Sequence, residues 1–302
     1  MTPMRKGQRR GFTIVEIITS LVIVAIIGLA MTKLILGQTR AFQFDNGGRR
    51  ARAAARSAMN ILITDLRMTQ DNGGVTFVDV ANRRVDVRVP SVFGFVCENS
   101  GTSVVVSLVP VDSFQRASGK YGGYAYRDST TGVYTYVAAG ASDTIQTAGT
   151  GRCHGGGVGL FADTTSIAGR LGDVFIASGT VAAAAPIGAP VFIWQTVTYE
   201  FKASQIYPGR YGLYRTVRGR ANTDTTADEL IAPFKTSARF NYYAQNPYST
   251  SDIPVATAPA LNNIRGFQIF LPAESSDTMP TRNTPLSAAV TTAVFFKNTR
   301  VP

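Results

Sequence analysis

A single acidic residue, Glu16, lies at the edge of a long apolar run near the start of the chain. A carboxylate in mid-membrane costs about 2.5–3.5 kcal/mol on insertion scales, so such a residue generally has a partner and a function. The next basic residue along the run, Lys33, is about 25 Å away in a helix and therefore out of reach. Glu16 therefore needs another cation or a proton. The alternative is that its carboxylate lies in the hydrated headgroup region, ionised and without a role.

Other side chains that could perform chemistry do not form a catalytic pattern. His154, the only histidine, stands in GRCHGGG without an accompanying serine or aspartate motif, and the glycine run at 155–159 lacks the Gly-Lys-Ser/Thr ending of a phosphate loop. Four oxygen-bearing side chains at short spacing could bind calcium; they are Asn222, Asp224, Asp228 and Glu229. A solvated acidic loop is the preferred interpretation. We predict no enzymatic activity, no cofactor and no metal site.

The composition narrows the class of protein. The 302 residues are 45% hydrophobic and 16% charged, which supplies ample apolar material for a core and excludes general disorder. Only one stretch is long and apolar enough to cross a bilayer, which excludes a multi-span protein. The net charge is +11, and the chain after Gly11 carries +7. The remaining basic residues form only small groups, so direct nucleic-acid binding is not expected.

The apolar run at 12–36 would span roughly 37 Å as a helix, enough to cross a hydrocarbon core of roughly 30 Å. A cleaved secretory signal peptide and an uncleaved signal anchor share this feature. No convincing A-x-A cleavage site follows the run, and Lys33 and Arg40 come next. Neither alternative explains Glu16.

The leader and the apolar run together resemble the type III signal of type IV prepilins and type II secretion pseudopilins. The resemblance rests on the basic leader, on Gly11 and Phe12, on the sequence Thr-Ile-Val-Glu16 and on the apolar helix. In that family a prepilin peptidase cuts after the glycine and methylates the new N-terminal phenylalanine. The family's glutamate pairs with the terminal amine of a neighbouring subunit. The resemblance therefore implies cleavage at Gly11, N-methylation of Phe12 and an assembly role for Glu16.

A second helical stripe follows the apolar run. Small and apolar residues recur at three- and four-residue spacing and predict an amphipathic continuation; they are Ala51, Ala55, Ala58, Met59, Leu62 and Leu66. A kink or a short melted turn is expected at Gly47-Gly48, because glycine costs about 1 kcal/mol against alanine inside a helix. The segment ARSAMNILITDLR is similar to minor pilins of the W type and minor pseudopilins of the J type. Asp65 and Arg67 within it are interpreted as a solvated face.

After residue 70 the apolar residues alternate with polar ones, with a period of two. Runs rich in Val, Tyr, Phe and Thr predict ten strands with no intervening helix, which favours antiparallel sheets. They cover 75–80, 84–89, 103–109, 133–137, 173–178, 191–201, 211–217, 238–244, 266–271 and 292–297. The predicted fold is α+β and pilin-like. A long N-terminal helix, transmembrane in its first half, packs on antiparallel β-sheets.

The chain is therefore identified as a member of the prepilin family, as a minor pilin or minor pseudopilin. Its partners would be prepilin peptidase, other pilins or pseudopilins, and the inner membrane before assembly. The predicted organisation is a leader at 1–11, a transmembrane and assembly helix at 12–36, an amphipathic helix at 37–70 and an extracytoplasmic β-rich domain at 71–302. The alternative is a signal-anchored surface protein with a β-sandwich, adhesin-like binding domain.

Cys97 and Cys153 are the only cysteines. Exported domains meet oxidising conditions, and both residues stand beside Gly, Asn or Ser loops that can bring strand ends together. We predict a disulfide between them. The alternative is two unpaired cysteines, one of them buried.

Overall fold

The structure is a computed structural model. It describes residues 13–70, 72–108, 121–128, 132–140, 143–147, 166–167, 170–171, 173–178, 185–218, 227–244, 255–278 and 284–296.

One helix, α1 (Ile14–Met68), begins the described chain and runs without interruption for 55 residues. Proline is absent from it, and aliphatic side chains dominate its first half. The helix ends at Thr69, whose backbone is extended, and Asn72 and Gly73 follow with positive φ angles of 54° and 110°. The long helix is confirmed. The melted turn expected at Gly47-Gly48 is wrong, because both glycines are helical.

Fifteen strands follow the helix within the described residues. They are β1 (Val75–Val78), β2 (Arg84–Asn99), β3 (Ser103–Leu108), β4 (Gly123–Arg127), β5 (Tyr134–Ala138), β6 (Thr144–Thr147), β7 (Ser166–Ile167), β8 (Arg170–Leu171), β9 (Asp173–Ser178), β10 (Pro190–Ala203), β11 (Tyr211–Arg218), β12 (Asp228–Phe234), β13 (Arg239–Ala244), β14 (Ile264–Thr278) and β15 (Pro285–Phe295). A short 3-10 helix, Leu261–Asn263, precedes β14.

Thirteen of these strands form one antiparallel sheet in the order β13-β14-β12-β11-β10-β2-β3-β9-β6. Three pairings lie off this path: β1 with β2, β15 with β14, and the β4–β5 hairpin with β10. Strands β7 and β8 pair separately. Each of the ten predicted strands overlaps an observed one, and the predicted α+β class is confirmed. The prediction missed β4, β6, β12 and the short β7–β8 pair.

The long strands β2 and β10 pair side by side and divide the sheet into two parts. On the far edge of β10, residues 191–194 pair with β4, and residues 196–203 pair with β11. On the far edge of β2, residues 85–87 pair with β1, and residues 94–99 pair with β3. We call β1 and β11–β15, with α1 and the adjoining halves of β2 and β10, the helix-backed part. The distal part comprises β3–β6, β9 and the other halves.

Each part has its own core. The helix-backed core contains Ala51, Ala55, Ala58, Leu62 and Leu66 of α1 and a set of aromatic rings from the sheet. Among the described residues, the two distal clusters contain no side chain of α1. The predicted amphipathic stripe is thereby confirmed, because five of its six members are buried and Met59 packs against the same core.

A β-bulge marks the boundary between the two parts. Ile193 pairs with Val92, but Trp194 pairs with Pro90, so Ser91 is the extra residue on β2. The Ser91 hydroxyl donates to the Ile193 carbonyl at 3.0 Å. Proline has no N–H to give to a ladder and is tolerated at bulges. Pro90 therefore accounts for the position of the irregularity.

Candidate assembly segment and its attachment to the sheet

The first part of α1 is a free apolar helix. Every large hydrophobic residue from Ile14 to Leu36 is exposed, with relative exposures of 50–76%. Within the described ranges, α1 is the one helix long and apolar enough to cross a membrane. A helix that is apolar on all sides needs lipid or other helices around it. The segment is therefore suited to a bilayer and to a bundle of similar helices.

The start of α1 places Glu16 in its first turn. Thr13 is the N-cap residue, and its hydroxyl accepts a hydrogen bond from the Glu16 amide at 3.3 Å. The Glu16 carboxylate is exposed and has no ion-pair partner among the described residues. A negative charge in the first turn complements the helix dipole. Gly11 and Phe12, the predicted cleavage and methylation residues, lie outside the described residues.

Residues 6–32 match the prokaryotic N-terminal methylation motif. Such a motif is typical of prepilin N-termini. The match supports placing the chain among type IV pilin-like proteins and pseudopilins, whose N-termini a prepilin peptidase processes. The match covers residues 6–32 only, which include most of the exposed apolar part of α1. No curated protein matches the chain. No solved structure matches it either.

In this pilin-like chain the sheet begins to cover α1 at Gly47. A Cβ atom on Gly47 would lie 3.0 Å from Leu286 Cδ1 and 3.4 Å from Ser275 Cβ. Both neighbours belong to the adjacent strands β14 and β15. Gly47 thus allows a close approach between helix and sheet. This packing explains why the pair of glycines does not melt the helix.

The other end of α1 is attached by a polar cluster around Asp65. The Tyr199 hydroxyl on β10 donates to Asp65 Oδ2 at 2.6 Å. Arg215 on β11 donates to the same oxygen through Nη2 at 3.0 Å and to the Tyr199 oxygen through Nε at 3.2 Å. Three elements of the helix-backed part therefore meet at one carboxylate.

Two members of this cluster, Tyr199 and Arg215, have raised pKa values. Burial and then the Asp65 carboxylate raise the pKa of Tyr199 far above its ordinary value, so the phenol stays protonated and donates. Burial opposes the charge on Arg215, but Tyr199 and Asp65 hold its pKa above the ordinary value. The Tyr199 phenol and the Arg215 guanidinium therefore both keep their protons at neutral pH. The interpretation of Asp65 as solvated is wrong, whereas Arg67 is exposed as expected.

The outer face of α1, opposite the sheet, is basic. Arg49, Arg52, Arg56 and Arg67 are exposed on it. The Asp45 carboxylate on the same helix pairs with Arg49 at 2.7 Å. No ion pair to Arg52, Arg56 or Arg67 exists within the described parts of the chain.

The acidic stretch proposed as a loop is in part a strand. Asp228 and Glu229 begin β12, whereas Asn222 and Asp224 lie outside the described residues. Burial opposes ionisation of Glu229, but hydrogen bonds from Ser204, Tyr214 and the Gln205 amide lower its pKa. The solvated-loop interpretation is therefore wrong for Glu229. Where the chain is described, no group of three or more His, Cys, Asp or Glu residues could hold a metal.

Of three further residues singled out in the sequence, the structure describes one. Cys97 is buried in the distal half of β2, and no described cysteine is free. Cys153 and His154 lie outside the described residues. The disulfide and the absence of a role for His154 remain predictions.

The sequence analysis missed three residues of the site, and only one of them has a recognisable local sequence pattern. Thr13 was missed although, with the predicted Glu16, it forms the Thr-x-x-Glu pattern of a capping box, so a local signal existed. Arg215 and Tyr199 gave no such signal, because they are far from Asp65 in the sequence and meet it only across the packed sheet.

Proposed function

We propose that the protein is a minor pilin or minor pseudopilin. Prepilin peptidase would cut after Gly11 and methylate Phe12, and the exposed apolar helix would hold the chain in the inner membrane. The chain then assembles into a type IV pilus-like or type II secretion filament, or into its tip or priming complex. Glu16 pairs with the terminal amine of an adjacent subunit in that assembly.

One observation carries the proposal. The methylation motif at 6–32 leads directly into a helix whose first half is apolar and uncovered, while its second half is built into the sheet. A tether alone requires only a span of the membrane. A rigid extension from the membrane segment into the globular part is what an assembling subunit needs, because it fixes the position of the β-rich domain relative to the helix bundle.

The size of the mature chain supports a minor subunit. Removal of eleven residues from 302 leaves a bulky chain for the repeating unit of a thin fibre. The distal part adds mass that does not pack on α1. A subunit present in few copies accommodates such an addition more easily than a subunit repeated along a fibre.

Glu16→Gln tests the assembly role, because it keeps the size of the side chain and removes its charge. The variant should be cut normally and stay in the membrane, yet be missing from sheared filaments in an immunoblot. Ser20→Ala is the matched control, since the Ser20 hydroxyl is in the same apolar run and bonds only to the Ile17 carbonyl of its own helix. Filament incorporation of the Glu16 variant at the wild-type level would reject the role.

N-terminal sequencing separates this proposal from a signal-anchored surface protein. A mature chain that starts at Phe12 supports the pilin function, whereas an intact Met1 supports the surface protein. Gly11→Val sharpens the result, because a side chain at the cleavage position should leave an uncut precursor. Loss of eleven residues from that variant by intact mass would contradict the assigned cleavage site.

A further inference from the structure

The outer face of α1 carries a line of positive charge. Arg49, Arg56 and Arg67 are about two and about three helical turns apart, so they project in nearly one direction over about 27 Å. Arg52 lies beside them, one turn before Arg56. Like charges at this spacing repel and destabilise a helix. Negative charge facing this surface would relieve that repulsion.

The described residues of the chain do not place that negative charge against the arginines. On the exposed face Asp45 is already paired with Arg49, and Asp65 points to the sheet and binds Arg215. Most other described carboxylates are engaged within the chain; Asp86, Glu200 and Glu274 are in ion pairs, and Asp79 and Glu229 accept hydrogen bonds. A second copy would therefore bring arginines against arginines, or meet few unpaired carboxylates.

A membrane surface is also a poor match for this face. The apolar run ends near residue 36, and α1 continues through the arginines without a break in the helix. Arg52 is then about 24 Å and Arg67 about 47 Å further along the helix axis. Attraction to anionic lipid fades within a Debye length of about 8 Å at physiological salt. The arginines lie beyond that range when the helix stands in the bilayer.

We infer that the arginine face of α1, formed by Arg49, Arg52, Arg56 and Arg67, docks against an acidic surface of a different subunit of the same assembly. The inference rests on the proposed function and specifies its partner. Phe42 is exposed on the same face, about two turns before Arg49, and gives the contact an apolar end nearest the membrane. Charge complementarity of this kind suppresses wrong partners, in this case further copies of the same chain.

The test compares filament-bound and total chain by immunoblot in cells that express the full chain. Arg52→Glu combined with Arg56→Glu should lower the bound fraction about tenfold or more, because like charges would then face each other across the contact. Arg52→Lys combined with Arg56→Lys should stay within about twofold of wild type, because charge is kept. Arg127→Glu combined with Arg239→Glu is the matched control, since both residues are exposed and lie away from α1.

A photo-crosslinking amino acid in place of Asn60, an exposed residue on the same face, identifies what is docked. Crosslinking to a carboxylate-containing segment of another subunit supports the inference. Crosslinking to a second copy, to lipid or to nucleic acid overturns it. Normal cleavage and normal total amount of the charge-reversed variant show that its loss from filaments is not a failure to fold.

Two outcomes separate this inference from the proposed function. If the wild-type chain is absent from filaments, the function is wrong and the inference is lost with it. If the wild-type chain is present and the charge-reversed variant incorporates equally well, or the matched control falls equally, the function stands and the docking surface is wrong.

Discussion

The helix-backed and distal parts are built on the same two strands but are stabilised differently. In the helix-backed part, α1 covers the sheet, and the fully buried side chains include Tyr199, Phe201, Phe234, Phe240 and Phe267. The distal core mixes valine, alanine and aromatic side chains and, among the described residues, includes no side chain of a helix. A sheet surface without a covering helix needs other means of stabilisation, because burial of apolar area is the main favourable term in folding.

The distal part uses a cation–aromatic contact at its boundary. The Arg88 guanidinium lies 4.6 Å from the Trp194 ring centroid and 4.8 Å from that of Tyr136. It also donates to the Gly73 carbonyl at 2.9 Å, just after the end of α1. Burial lowers the pKa of Arg88. One side chain therefore links the turn after the helix to β10 and to the distal strand β5.

The largest expected effect concerns the predicted disulfide of the distal part. Closure of the loop between Cys97 and Cys153 would contribute about 4 kcal/mol in the loop-entropy model. Reduction should therefore destabilise the chain by about that amount, with amide exchange rising in β3 and β9 before β14. The same reductant should not affect Cys97→Ala combined with Cys153→Ala. Thiol labelling of the denatured, unreduced chain that finds two reactive thiols would rule out the bridge.

The helix-backed part should respond most strongly at Asp65. Asp65→Ala leaves the Arg215 charge and the Tyr199 hydroxyl without their shared acceptor in a mostly buried site, which should cost about 3 kcal/mol. Denaturant unfolding of the mature chain in detergent measures the loss. Arg67→Ala, an exposed change in the same turn, should stay within about 0.5 kcal/mol of wild type. Equal stability of the two variants would show that the cluster does not fasten the helix.

Arg88 tests whether the two parts are coupled. Arg88→Ala removes two ring contacts and one hydrogen bond, so stability should fall by about 2 kcal/mol. Hydrogen exchange should rise in β4, β5 and the turn at 72–74, while β14 stays protected. Arg127→Ala on β4 is the exposed control. Uniform acceleration across β5 and β14 would mean that the sheet opens as a single unit.

The sequence predicted the fold best where a single spacing of apolar residues continues along a whole helix or strand. The spacing from Ala51 to Leu66 predicted both the helix and its buried face, because a single stripe must face the sheet. The alternating runs located ten strands for the same reason. Strand β12 was missed because it opens with Asp228 and Glu229, residues more typical of loops.

The residues of the candidate site also differ in whether the sequence alone could identify them. Glu16 and the apolar helix are easy to recognise in the sequence, because charged side chains are rare in an apolar membrane-spanning segment. Asp65 does not stand out, because a polar residue on a helix is ordinary until its distant partners are known. Gly47 was misread for a related reason: helix propensity describes an isolated helix, whereas tertiary contact with Ser275 and Leu286 decides the outcome here.

The smallest expected effect separates Gly47 from Gly48. Gly48→Ala should raise stability by about 1 kcal/mol, because alanine favours the helix and its Cβ would meet only Arg52 Nη2 at 3.7 Å. Gly47→Ala gains the same helix propensity, but its Cβ atom would lie only 3.0 Å from Leu286 Cδ1. The two effects oppose each other, so the stability of this variant should stay within about 0.5 kcal/mol of wild type. In a Leu286→Ala background the obstructing atom is gone, and Gly47→Ala should then match Gly48→Ala. Equal gains at both glycines in the wild-type background would show that the sheet does not restrict the helix at Gly47.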